Sequence, residues 1–305
     1  VRNDICGVPY KAENNNCKGD IMTGIRITTI VTILAIALGL TAGGCETGTS
    51  RGKLVKLKKD YPIEAVPLTD VTLTDNFWKP KIEINRTVTI PHVLNMCEKS
   101  KRIDNFAVAG GLAEGQFRGQ YPFDDSDVYK SIEAASYSLS VYPDPNMEKY
   151  LDEIIAKIAA AQEKDGYLYT ARTTNTKRLE SWYGKERWEK LDGSHELYNV
   201  GHLYEAAAAH YLATGKRNLL NIAIKNANMV DKTFGPSPDM LHKWPGHQEV
   251  EIGLVKLYRV TGNEKYLNLA KHFLDVRGPR GGEYNQAHKK PVDQNEAVGH
   301  AVRAM

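Results

Sequence analysis

The sequence predicts an all-α chain of helical hairpins, and three observations lead there. From Asp125 onward, apolar residues recur at helical spacing between start and stop signals, and no series of alternating strands follows. The segments YLATGKRNLLNIA and YRVTGNEKYLNLA repeat one another, with Gly215 and Gly262 at matching positions, and VYPDPNMEKYLDEI is a looser third copy. Polar residues gather at the starts of alternate helices. Repeated hairpins must stack to bury their apolar faces, either as an open solenoid or as a closed toroid. In a toroid alternate helices form the inner ring, and their N-terminal ends share one mouth. That arrangement accounts for the polar starts. In an open solenoid the same residues line a concave face.

The elements follow in order. Residues 1–21 are polar and read as an upstream extension of the natural protein, whose start is Met22. Residues 22–45 read as an export signal: an apolar run from Ile25 to Leu40, then Thr41-Ala42-Gly43-Gly44-Cys45. Small residues before a cysteine make Cys45 a lipidation candidate. Ala42 stands where a lipoprotein signal usually has Leu, so an ordinary signal peptide is the alternative. The expected place is therefore outside the bacterial cytoplasm, periplasmic or anchored by lipid in the outer membrane. Residues 46–65 read as linker, and residues 66–305 as the folded domain. Val66 to Trp78 alternates and reads as extended. Lys81 to Lys99 has helical tendency, with a break or kink expected at Pro91. Phe106 to Tyr121 is rich in Gly and reads as loop. Ser126 is the expected cap of a helix ending at Val141, and Asn146 to Gln162 is the next. A polar and aromatic stretch, Asp165 to Gly193, precedes the central helix. That helix runs from an N-cap at Ser194 to a C-cap at Gly215. Lys216 to Phe234, His247 to Val260 and Asn263 to Val276 follow as helices, and Gln294-Asn295-Glu296 opens another. The inner helices are expected to start near Asp127, Ser194, His247 and Asn295.

Composition bounds the function. The chain has 305 residues, 42% hydrophobic and 25% charged, enough for a sizeable core. A net charge of +3 without a Lys/Arg block excludes a nucleic-acid reading. Cys6, Cys17, Cys45 and Cys97 form no metal-binding spacing, and Cys97 reads as a buried thiol.

The candidate pocket is polar. His195, His202, His247 and His300 stand beside Glu196, Glu205, Glu249 and Glu296 at the inner helix starts. Neutral imidazole both donates and accepts, which suits sugar hydroxyls. Spacing alone does not make these histidines metal ligands, because three or four must converge. Asp124, Asp125 and Asp127 form an acidic cluster that reads equally as helix capping or as a source of catalytic carboxylates.

At these residues the chain resembles a known family. FAVAGGLAEGQFRGQYPFDDSDVYKSIEAASY, KDGYL, HELYNVGHLYEAA, ATGKRNLL, LHKWPGHQEVEIGLVKLYRVTGNEKYLNLAKHFLDVRG and QNEAVGHAVRAM resemble the β-L-arabinofuranosidases of glycoside hydrolase family 127, in the family's order. The resemblance implies an (α/α)6 barrel of the six-hairpin glycosidase type. It implies a retaining glycosidase that releases terminal β-L-arabinofuranosyl residues from plant oligosaccharides or polysaccharides. Substrate-binding histidines then fall on His195, His247 and His300. It further implies a zinc-held cysteine nucleophile and a glutamate acid/base, in motifs that follow GHAVR and are not matched here; Cys97 does not fit them. The expectation is an N-terminal part of the barrel, with no catalytic residue and no metal ligand in this chain. On that expectation the chain alone has no turnover and poor stability. Two other readings remain: a carbohydrate-binding toroid without catalysis, and another glycosidase or a lyase on the same barrel.

Overall fold

The computed structural model describes residues 51–57 and 66–277. The Asn295 helix, His300 and Cys45 lie outside these residues. No described helix is long and apolar enough to cross a membrane.

A 3-10 turn at Leu68–Asp70 interrupts the stretch read as extended. Helix α1 (Trp78–Ile84) then passes through a π turn (Asn85–Thr89) into α2 (Ile90–Lys99). The chain therefore stays helical through Pro91 instead of breaking. The wider π turn lies where the proline lacks a donor and its ring would strike the preceding turn. Helix α3 (Arg102–Ala109) follows after Lys101, which takes the left-handed conformation at φ 67°. This corrects the loop expected from Phe106: Phe106 and Ala107 are buried on α3, and the Gly-rich loop starts only at Gly110. Tertiary burial overrides the glycine signal there.

Helix α4 (Asp125–Val141) and α5 (Pro145–Ala161) form the next hairpin. Asp144 caps α5, its carboxylate accepting from the Asn146 and Met147 amides at 3.0 and 3.2 Å. Ser126 is not the cap of α4. It lies inside the first turn, and its hydroxyl donates to the Phe123 carbonyl. Short turns follow as α6 (Thr170–Thr173), α7 (Glu180–Tyr183) and α8 (Leu191–Ser194). Then come α9 (Glu196–Thr214), α10 (Asn218–Thr233), α11 (Val250–Thr261) and α12 (Glu264–Arg277). No named strand occurs among the described residues. A single isolated bridge joins Phe234 and Leu241.

The helices make two layers. Helices α2, α4, α9 and α11 pack side by side as the inner layer, with α3, α5, α10 and α12 outside them. This is the all-α toroid architecture. Helix α9 is buried on nearly every side between α4, α10 and α11. Its Ala206 to Ala209 run is buried and slim, which lets neighbouring helices come close. One close approach is glycine to glycine. A Cβ on Gly253 of α11 would lie 2.5 Å from the Gly201 carbonyl oxygen of α9.

The repeat seen in sequence is a repeat in atoms. Gly215 and Gly262 end α9 and α11 at φ 73° and 71°, their amides donating to Tyr211 and Tyr258 carbonyls. In each copy a threonine, Thr214 or Thr261, then accepts from the amide two residues on. Residues 51–57, expected in the linker, run along these ends. The Gly52 amide donates to Tyr211 at 3.1 Å and the Val55 amide to Arg259 at 2.9 Å.

Candidate functional site

The starts of α4, α9 and α11 meet at one end of the inner layer. Ser194 is not the N-cap of α9. It closes α8, and His195 stands between the two helices at φ 58°, a left-handed conformation that costs a non-glycine residue about 1 kcal/mol or more. The Ser194 hydroxyl still serves the helix start, accepting from the Glu196 amide at 3.3 Å. The left-handed kink turns His195 towards its neighbours. Its Nδ1 donates to the Gly193 carbonyl at 2.9 Å, which leaves Nε2 as an acceptor. Burial holds the His195 imidazole below its ordinary pKa, so the ring is neutral.

His247 does not begin α11. It precedes the helix by a turn, in Gly246-His247-Gln248-Glu249. Even so, its ring centroid lies 4.7 Å from that of His195. Tyr198, one turn along α9, packs on both, at 5.6 Å from His195 and 5.2 Å from His247. Phe123, at the entrance to α4, lies 4.4 Å from His195. Two of the three expected histidines are therefore brought together, and the third lies outside the described residues. Tyr198 and Phe123 were not singled out in sequence. The only signal was Tyr198's place three residues after His195 and four before His202, which puts all three on one helix face.

Below this surface lies a charged cluster. His202 Nδ1 is 3.0 Å from Glu249 Oε1, and Glu205 is paired with Lys256, which also bonds Glu133 at 3.0 Å. Burial and the nearby Lys130 push the His202 imidazole down to about 4. Burial, with the Glu205 carboxylate alongside, raises Glu249. Glu196, expected at the pocket, faces the wall instead. It is 1% exposed, accepts from Tyr167 Oη at 2.5 Å and from the Trp188 amide, and stands 3.8 Å from Arg172.

The acidic cluster at α4 divides. Asp125 is fully buried and accepts from both the amide and the hydroxyl of Thr170. Burial lifts it to about 7 despite those bonds. Asp124 and Asp127 both pair with Arg102. All three serve structure in this geometry.

His202, Glu205 and Glu249 each present a ligand atom within 4.8 Å of the others and could hold a divalent ion. The ammonium of Lys256 already sits on Glu205 and opposes one. The zinc implied by the resemblance is tied to cysteine thiolates. Cys97 is the one cysteine among the described residues, buried, with its thiol raised by desolvation. The described residues therefore do not fit that centre.

The fold has known counterparts. The chain is 34% identical over 276 residues to a non-reducing end β-L-arabinofuranosidase of Bifidobacterium longum subsp. longum, covering 77% of this chain and 41% of that protein. A solved β-arabinofuranosidase of glycoside hydrolase family 127 superposes with a TM-score of 0.70 at 51% identity, over 76% of this chain and 37% of that one. A β-L-arabinofuranosidase of the same family from Geobacillus stearothermophilus T6 superposes at 0.64 with 40% identity, over 69% of this chain and 33% of its own. The chain thus spans less than half the length of each of these relatives. The family profile described as beta-L-arabinofuranosidase, GH127 catalytic domain, matches residues 70–305, and the chain belongs to that family.

Proposed function

We propose that the whole protein is an exported glycoside hydrolase that releases terminal β-L-arabinofuranosyl residues from plant glycans with retention of configuration. The observation that carries this reading is the pair of imidazoles, His195 and His247, held 4.7 Å apart at the inner helix starts. Neutral His195 keeps a free acceptor nitrogen for a hydroxyl, and the helix starts supply amide donors. Bonds that tighten as the sugar reaches its transition state would speed the reaction. His300, from the GHAVR motif, is proposed as the third contact. The acid/base glutamate and the zinc-held cysteine are proposed to lie outside the described residues. The apolar run before Cys45 supports export, with Cys45 as the acceptor of a lipid anchor.

The test is binding of methyl β-L-arabinofuranoside to this chain by calorimetry, with His247→Ala and His195→Asn beside it. Asn keeps the left-handed backbone available at 195 while removing the ring. Each loss should weaken binding by about 0.5–1.5 kcal/mol, or roughly two- to tenfold. Unchanged affinity with a lowered melting temperature at both positions would show structural histidines and sink the assignment.

A further inference from the structure

Beside the histidine pair stands a row of aromatic rings that shares only Phe123 with the pocket. Tyr121 and Phe123, on the loop entering α4, stack with centroids 5.1 Å apart and planes 12° apart. Trp182, on α7, sets its ring across theirs at 5.9 Å from Tyr121 and 6.4 Å from Phe123. Phe123 is the inner end of the row and touches His195. The outer rings remain open: Tyr121 is 37% exposed and Trp182 39% exposed. Rings recruited only to fill a core would be closed off, as Tyr167, Tyr169 and Phe106 are in this chain.

The wall is also fixed in place. The Arg178 guanidinium donates to the Gly119 carbonyl and ties the Trp182 segment to the Tyr121 loop. A Cβ on Gly193 would lie 2.8 Å from the Trp182 carbonyl oxygen, so these two backbones are pressed together. The Gly193 carbonyl is the one that accepts from His195. One short stretch of backbone thus positions both the histidine and the aromatic row. Aromatic faces are apolar and rigid, with little conformational freedom to lose on binding, and Tyr keeps a hydroxyl for a polar partner. A sugar ring presents an apolar face of C–H bonds with hydroxyls at its edge, which matches such a wall.

We propose that Tyr121, Phe123 and Trp182 form an aglycone subsite, which takes the neutral sugar ring next to the terminal residue. The proposal rests on the histidine pocket as the seat of the terminal sugar, because the row leads outward from His195. It assigns to the aromatic row the preference for an oligosaccharide over a simple glycoside.

The test compares two ligands on this chain by calorimetry: methyl β-L-arabinofuranoside and a disaccharide of L-arabinofuranose. The readout is the ratio of their affinities. The parent chain should favour the disaccharide by about tenfold, the size expected for one good aromatic contact. Trp182→Ala should bring that ratio close to one, and Trp182→Phe should restore most of it. Tyr121→Ala is the second variant, and melting curves of both confirm folding. A parent ratio near one overturns the subsite, as does a ratio that Trp182→Ala and Tyr121→Ala leave at its parent value. Disaccharide binding that depends on Trp182, without binding of the methyl glycoside, keeps the subsite and removes the histidine pocket. Binding of neither sugar removes both.

Discussion

Asp125 shows how a single residue's surroundings decide its chemistry. Thr170 offers it two donors, which favour the anion, but complete burial outweighs them and lifts the carboxyl to about 7. In the unfolded chain the group titrates near 3.8. Between those values the native state holds a proton that the unfolded state has released, so stability falls as pH rises from about 4 to 7. A rise of this size corresponds to roughly 4 kcal/mol when fully expressed. Asn in its place can accept from the amide and donate to the hydroxyl without ever charging. Asp125→Asn should therefore raise the melting temperature at pH 8 and flatten its pH dependence between 4 and 7. A parallel, unshifted pH profile in melting curves would show that Asp125 is already an anion across that range. Little of this was legible beforehand. Asp125 was visible as one of three clustered carboxyls, but its partner lies 45 residues away. The same holds for His195. Its type and place could be read, while its left-handed backbone follows from how α8 meets α9.

At the scale of elements, the punctuation of the sequence carried far. Gly215 and Gly262 stop their helices as read, and the Pro143-Asp144-Pro145 break separates α4 from α5. These signals are local, so they survive into the fold. The signals that misled were local too, but were overruled by packing. The π turn absorbed Pro91, and buried Phe106 kept α3 helical into a Gly-rich run. The contact between α9 and α11 has a sharp test. In an exposed helix Gly→Ala is stabilising by about 1 kcal/mol. At Gly253 the new Cβ would fall 2.5 Å from the Gly201 oxygen and 2.9 Å from the Tyr204 Cβ. Neither obstacle is the loose end of a side chain, so α11 itself must shift. Overpacking of that kind costs about 1–3 kcal/mol and exceeds the propensity gain. Gly253→Ala should lower the melting temperature by a few degrees, about 2–4 °C per kcal/mol in a chain of this size. It should also weaken sugar binding by moving His247 away from His195. A melting temperature at or above the parent value would show that the helices have room to spare.

Over the whole molecule, what fixes the two ends of the inner layer differs. At the site end, ring contacts join the Gly201–Gly253 approach in setting the spacing, with His195 against His247 and the uncharged His202 against Glu249. At the far end the backbone does so, through residues 51–57. Gly52 sits so close that a Cβ there would lie 2.2 Å from the Tyr211 carbonyl oxygen. Gly52→Ala should therefore lift the strand-like stretch off α9, costing about 1 kcal/mol for the lost hydrogen bond. Hydrogen exchange at the Val55 amide should quicken with it; an unchanged rate would mean that the two bonds hold independently. The consequence reaches the other end of the helices. Three peptide units between Gly52 and Val55 act as a tether of fixed length across the bases of α9 and α11. Pinned there and pressed glycine to glycine near their starts, the two helices are held at both ends, and the starts carry the histidines. The gap between the imidazoles is thereby a dimension of the frame, set by contacts at both ends of the same two helices.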